Sequence, residues 1–208
     1  MVIVSSFDLT YNDASGFFTV TTKESASCPF CKGDLVYRDS KPRILKYLSG
    51  GIRHFLLRRF RCRECNKLHT ELPDIIQPYK HYESGVIQSV IEGSEDAADC
   101  VADDSTVRRW KNEFTEAEPD INQRLASVYA HLSDGEVPIA ATVHILDRIK
   151  AKAKRWLAFV MKLLINSGYR IRTRFAFCPP SVPDKVSSES KNATEGGKKG
   201  DKTIKNTC

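Results

Sequence analysis

The stretch CPFCKGDLVYRDS (Cys28–Ser40) sets two cysteines two residues apart and follows them with a run that reads as a strand. Such a pair is a metal-ligating turn, a redox dithiol or a coincidence, and the rest of the chain has to decide. RCRECNKLH (Arg61–His69) supplies a second pair, Cys62 and Cys65, at the same spacing. A C-x2-C turn aims two thiolates at one metal while its backbone N–H groups hydrogen-bond the sulfurs. Two such turns therefore complete a tetrahedral shell of Cys28, Cys31, Cys62 and Cys65. One structural Zn2+ suits that shell best, although an iron–sulfur centre also uses four cysteines. A redox dithiol belongs at a helix N-terminus, which this β-rich context lacks. His69 is either a substitute ligand or a hydrogen-bonding residue, and Cys100, Cys178 and Cys208 have no paired spacing.

Between the pairs, the runs DLVYR, RILKYL and IRHFLLRRFRC are bounded by Gly33, Pro42 and the Gly50-Gly51 pair. They predict a hairpin that brings the second cysteine pair back beside the first, which is the architecture of a zinc ribbon. So small a unit has little core of its own, whereas a structural zinc site supplies about 10–16 kcal/mol that is also folding free energy. The ribbon is expected not to fold without metal. Its strands carry Arg58, Arg59 and Arg61 among other cations, interleaved with Tyr37, Tyr47, Phe55 and Phe60. Arginines bind phosphates and aromatic rings stack on bases, although alternate aromatics in strands also build cores.

Charge is unevenly distributed over the 208 residues, whose net value is +6. Residues 37–67 hold ten Lys/Arg and two acids, residues 83–120 three and eleven, and residues 121–175 ten and three. Two basic blocks flanking an acidic one fit a surface that meets a polyanion. The first residues, MVIVSSFDLTYNDASGFF, lack the basic and apolar regions of a signal peptide, and no apolar run reaches the roughly 18 residues a membrane span needs. The expectation is a cytoplasmic protein in a reducing compartment, with no membrane partner.

The segment from Tyr82 to Phe114 reads as three helices. Val86, Ile87, Val90 and Ile91 form an apolar stripe that ends at Gly93, Ser94 can cap a short second helix, and Ser105 can cap a third. In the third, Val107, Trp110 and Phe114 share one face, leaving Ser105, Thr106, Arg108, Arg109, Lys111 and Asn112 to read base edges and phosphates. This is the helix-turn-helix arrangement, with the third helix as the recognition helix. The eleven acids nearby favour an ordinary packing unit instead, but residues 105–112 contain three bases and no acid.

The order of CPFCKGDLVYRDS, RRFRCRECNKLHTELPDIIQPYKHY, STVRRW and NSGYRIRTRFAFCP resembles an uncharacterised bacterial family with a domain of unknown function, built from a zinc ribbon followed by a helix-turn-helix. The resemblance covers roughly residues 1–180. Its relatives look like transposase-type DNA-binding heads and are associated with mobile elements. The resemblance implies ligands at Cys28, Cys31, Cys62 and Cys65 and a recognition helix over Thr106–Phe114. It gives LHTELPDIIQPYKHY no role beyond a proline-punctuated linker.

Further on, Ile121–His131 and Ala140–Asn166 read as helical stretches broken near SDGEVP, the second carrying the stripe Ile145, Ile149, Ala153, Trp156, Val160 and Leu164. YRIRTRF follows Gly168 with three arginines on one side of an extended segment. The tail from Pro179, rich in Pro, Gly, Ser and Lys, is expected to be disordered. The expected fold class is α+β: an N-terminal strand and zinc ribbon with its linker (residues 1–82), an all-α helix-turn-helix (83–118), a helical segment with a basic end (119–178) and a disordered tail (179–208). No Gly-rich phosphate loop, nucleophile elbow or His-Glu zinc motif is present, and the strand pattern of a ribonuclease-H-like transposase core is missing. The chain reads as non-enzymatic. The expected partners are double-stranded DNA, a transposase or other mobile-element protein, and a second copy of the chain. The alternatives are a protein–protein adaptor scaffolded by the ribbon, with Trp156 or Val160 at its assembly surface, and a binder of single strands or RNA through the ribbon aromatics.

Overall fold

The runs on either side of Gly50 form the two longest strands of the computed structural model, which describes residues 1–132 and 144–169. Strand β4 (Leu35–Lys46) pairs antiparallel with β5 (Ile52–Cys62), from Leu35 opposite Cys62 to Lys46 opposite Ile52. The turn between them closes at Gly50, whose φ of 78° suits a residue without Cβ. DLVYR and RILK are thus one strand, with a register irregularity at Tyr37/Asp39 that absorbs the break expected between them.

The other edge of β5 is shared. β3 (Phe17–Thr22) runs parallel to its first half, with Phe18 opposite Phe55, and β6 (Leu68–Pro73) runs antiparallel to its last residues, with Phe60 opposite His69. β2 (Phe7–Asn12) forms a hairpin with β3, and β1 (Val2–Val4) lies parallel to β6. The result is a half-barrel of six strands. One hairpin has no signal in the sequence, and one expectation is corrected. The polar stretch after MVIVS is the β2–β3 hairpin, hidden from a pattern search because β2 is exposed along nearly its whole length. LHTELP is strand β6 rather than a linker, and its proline sits at the strand's end, where a missing N–H costs little.

The helical part starts as expected and then departs. Helix α1 (Ser84–Glu92) ends at Gly93, which has a left-handed φ of 66° and donates to the carbonyls of Ser89 and Val90. The expected second helix is a five-residue 3-10 turn, Glu95–Asp99. The third helix does not stop at Phe114: α2 runs over 29 residues, Asp104–Leu132, through Pro119. A proline inside a helix costs about 3 kcal/mol. The helix nevertheless continues because Val107, Trp110, Phe114, Ala117, Ile121 and Leu125 keep one stripe turned to the core, while Pro119 is exposed. The domain boundary expected at residues 118/119 therefore falls inside α2.

Asp103 accepts hydrogen bonds from the Thr106 N–H at 2.8 Å and from the hydroxyls of Ser105 and Thr106. The Ser105 hydroxyl, the first donor, holds its carboxyl below the usual range at about 2, so the cap is complete above pH 4 and is lost as the pH falls from about 4 towards 2. Asp103→Asn is expected to remove that part of the acid destabilisation. Stability of the two proteins measured from pH 5 to pH 2 checks this, and identical profiles count against the cap.

Helix α3 (Ile145–Lys152) and helix α4 (Trp156–Asn166) are separated by Ala153, which is extended, so the expected single helix over Ala140–Asn166 is two. The expected break at SDGEVP, the arginines of YRIRTRF, Cys178, Cys208 and the tail from Pro179 lie outside the described residues. α4 joins two cores. Trp156, Val160 and Leu164 pack with Val90, Trp110 and Leu125, whereas Ile165 packs with Ile3, Phe55, Leu57 and Leu72 of the sheet. The Asn166 amide also grips β1, accepting from the Ile3 N–H at 2.8 Å and donating to the Ile3 carbonyl at 2.9 Å. β4 and β5 are consequently built into a larger sheet with a helical backing. No helix among the described residues is long and apolar enough to cross a membrane.

Candidate metal centre

The β4–β5 pairing decides where the four cysteines go. Leu35 lies opposite Cys62, so the residues just before β4 and just after β5 meet at one end of the hairpin. The two turns there are built alike. Cys28 N–H donates to the Gly33 carbonyl and Lys32 N–H to the Cys28 carbonyl; Cys62 N–H donates to the Lys67 carbonyl and Asn66 N–H to the Cys62 carbonyl. Lys32 and Asn66, each directly after the second cysteine of its pair, both have φ of 61°. Two separate stretches of sequence thus adopt one conformation around one point. Gly33 belongs to the device as well, because a Cβ there would lie 2.3 Å from Glu64 Cγ and 3.3 Å from Cys62 Sγ.

The sulfurs of Cys28, Cys31, Cys62 and Cys65 all lie within 4.8 Å of one another, the only such metal-ready cluster among the described residues. The cross-pairs Cys28–Cys65 and Cys31–Cys62 are 3.5 and 3.4 Å apart, too long for disulfide bonds. Four sulfurs at about 2.3 Å from a central ion stand about 3.8 Å from one another, so the observed spacing could hold one metal ion. Burial pushes the Cys28 thiol up, but backbone N–H groups of Cys31 and Phe30 and the thiols of Cys65 and Cys31 outweigh it and bring it down to about 7. Cys31 receives a favourable N–H from Gly33, yet its thiol neighbours, Cys62 foremost, push it up to about 12. Negative charge settled on one sulfur resists a second charge beside it, and a bound cation is what allows all four to ionise.

His69 is 1% exposed and completes the surroundings of Cys28. Its Nε2 lies 3.4 Å from Cys28 Sγ, and its Nδ1 lies 3.3 Å from the Met1 amino group. Burial and the positive charge of that amino group hold His69 below its usual value. The neutral ring carries one N–H, and its partners assign it to Nε2: the amino group donates to Nδ1 and Nε2–H donates to the sulfur. His69 is therefore a hydrogen-bonding residue outside the four-cysteine set. Replacing it with Phe keeps the packing and removes the donor, and outer-shell losses of this kind cost about 10–100-fold in metal affinity. Competition against a chromophoric chelator measures this, and unchanged affinity in His69→Phe denies the role. Sequence could offer His69 as a candidate but could not show that strand β6 turns it inward.

The residues assigned to nucleic acid are divided. Arg59 gives two 2.6 Å hydrogen bonds to Asp39 across the β4–β5 ladder. Arg58 reaches Glu71, 3% exposed, with Nε at 2.9 Å and a second guanidinium nitrogen at 2.8 Å. These two arginines neutralise the sheet's own carboxylates, while Arg61 is exposed. In α2, Ser105 and Thr106 are occupied by the Asp103 cap, and Arg109 leans on Thr106 Oγ1 and lies 3.9 Å from Glu113. Arg108, Lys111 and Asn112 are exposed on the outer side of the same turns, opposite the buried Trp110.

Curated proteins and solved structures give no match. Residues 28–110, from the first cysteine of the cluster to the buried tryptophan of α2, match the model of a domain of unknown function, DUF6431.

Proposed function

We propose that this chain is a zinc-stabilised DNA-binding protein, a transcriptional regulator or the targeting component of a mobile element, without catalytic activity of its own. The cysteine end of the β4–β5 hairpin is a zinc ribbon in this reading, and Zn2+ is its ion. The compactness of the sulfur cluster supports a single ion, because an iron–sulfur cluster needs room for several irons and bridging sulfides between its cysteines. Zinc in such a site is structural: it holds four thiolates and fixes the two turns.

The observation that carries the DNA reading is the outer face of the first turns of α2. Arg108 and Lys111 have no ion pair among the described residues and Asn112 stands beside them, while Trp110 anchors the opposite face. A guanidinium, an ammonium and an amide on one rigid helical face supply what phosphate contact and base reading require. In this reading α1, the 3-10 turn and the start of α2 are a helix-turn-helix variant whose second element is shortened. The partner is duplex DNA, with a transposase or a second copy of the chain as its protein company, and the place of action is the nucleoid.

Fluorescence anisotropy of metal-loaded protein against mixed-sequence duplex DNA across a salt series tests it. Affinity is expected to fall steeply with salt, and the Arg108→Ala/Lys111→Ala variant to bind more weakly with a slope reduced by about 2. Folded, metal-loaded protein that fails to bind duplex even at low salt overturns the reading.

A further inference from the structure

A groove of about 400 Å3 lies directly against the metal centre. One wall comes from the first cysteine turn, where Phe30 stands between Cys28 and Cys31 and is 42% exposed. The next comes from the residues after the second turn, Lys67 and Leu68, the latter 45% exposed. Tyr79 closes the side, 58% exposed, on a backbone with φ of 61°. A bulky aromatic residue occupies that left-handed region only at a cost, and here the cost holds a ring open to solvent. Ile165 and Tyr169 from the end of α4 also line the groove.

Three properties of this groove narrow its occupant. The described lining holds no carboxylate, and of its three aromatic rings Phe30 meets Lys67 and His69 and Tyr169 meets Arg124, whereas Tyr79 is the most exposed. Its side-chain cation, Lys67, sits 4.1 Å from the centre of the Phe30 ring and has no carboxylate partner among the described residues. Finally, the walls bearing Phe30 and Lys67 are the two cysteine turns themselves, so both are held by the same sulfur cluster. The Tyr79 ring open to solvent and an ammonium that no carboxylate neutralises, in a space within the usual range for a small ligand, match a planar base with a phosphate attached.

We infer that this groove binds an unpaired nucleotide of single-stranded nucleic acid, its base stacked on Tyr79 and its phosphate at Lys67. The site extends the nucleic-acid reading to unpaired bases, yet it shares no residue with the α2 face and the two stand or fall separately. It also gives the metal a functional consequence, because losing the cysteine turns displaces Phe30 and Lys67 from the groove.

The test uses the metal-loaded full chain and two fluorescent probes, a short oligothymidylate and a mixed-sequence duplex. The oligothymidylate is expected to bind, and Tyr79→Ala to weaken it about tenfold, within the effect of losing one stacked base. Tyr79→Trp, which keeps a π-face, is expected to retain binding. Lys67→Ala should lower the salt slope by about 0.7. Circular dichroism and bound zinc establish that each variant is folded and loaded; both Tyr79 substitutions lie away from the ligands, so they keep the test valid if Lys67→Ala loses metal. Arg108→Ala/Lys111→Ala is expected to weaken the duplex alone, so failure on the duplex overturns the α2 reading and leaves the groove standing. No oligothymidylate binding at low salt, or binding indifferent to Tyr79→Ala, overturns the groove. Equal displacement of the probe by polyglutamate, the sign of an acidic-peptide or unselective polyanion surface, overturns it too.

Discussion

Chelating the metal from zinc-loaded protein is expected to lower the melting temperature by more than about 10 °C and to open the cysteine end of the sheet before the rest. Structural zinc contributes about 10–16 kcal/mol in small zinc-dependent peptides, and a loss of 1 kcal/mol shifts Tm by about 2–4 °C in a chain of this size. Even half of that contribution, about 5–8 kcal/mol, comes to about 10 °C or more. Without a cation, the four sulfurs within 4.8 Å of one another can no longer all be ionised, and the conformations at Lys32 and Asn66 lose their support. The ribbon taken alone would be expected to unfold completely. Here β5 is also held by β3 and β6, and the sheet core includes Ile165 of α4, so the remainder is expected to persist. Hydrogen exchange with and without chelator checks the order. Protection should vanish first over residues 28–34 and 62–69, while Val90 and Leu164 stay protected. Uniform loss across the chain, or no change in Tm, would each contradict this account.

Trp156→Ala is expected to destabilise the protein by about 3–5 kcal/mol, the range for removing a large aromatic side chain from a packed core. Trp156 is 1% exposed at the start of α4. Its ring meets Phe114 edge-on with centroids 5.4 Å apart, its Nε1–H donates to Glu92, and the Lys150 ammonium lies 5.3 Å from its ring. One substitution thus leaves a cavity where α1, α2, α3 and α4 meet and removes one donor from the exposed Glu92 carboxylate, which keeps its bond from Gln88. Denaturant unfolding measures the loss, and a change below 1 kcal/mol would show that the site collapses to fill the gap. The same burial bears on the adaptor alternative. Trp156 and Val160, the residues expected at its assembly surface, lie inside the helical core, so changing them alters folding rather than association.

The cysteine spacing made the centre of this protein legible before any fold was known. Two C-x2-C pairs need only local geometry to aim their thiolates, and the strand runs between them made it natural for the chain to return. The same held for the stripe of Val107, Trp110 and Phe114, because helical periodicity is a property of the segment itself. Helix ends were less legible. Ser94 looked like the cap of a helix, but EDAAD presents no apolar residue large enough to bury and closes as a 3-10 turn without a buried residue. The helical pattern reads as ending at Phe114 and resuming at Ile121, but Ile121 and Leu125 carry one helix through Pro119.

What the sequence by itself determined is therefore local: the metal-ready turns, the hairpin that joins them and the apolar faces of α1 and α2. Tertiary structure alone decided which charges are free. Arg58 and Arg59 look as available as Arg61 in the string, yet Glu71 and Asp39 claim them through a cross-strand pairing that no short window of sequence contains. It likewise decided that β1 and β6 are neighbours, that His69 turns inward to Cys28, and that Phe30, Lys67 and Tyr79 share a groove. The physical reason is common to all of these. A turn or a helix face is set by residues a few positions apart, whereas partners drawn from distant strands are set by register and burial, which exist only once the chain has folded.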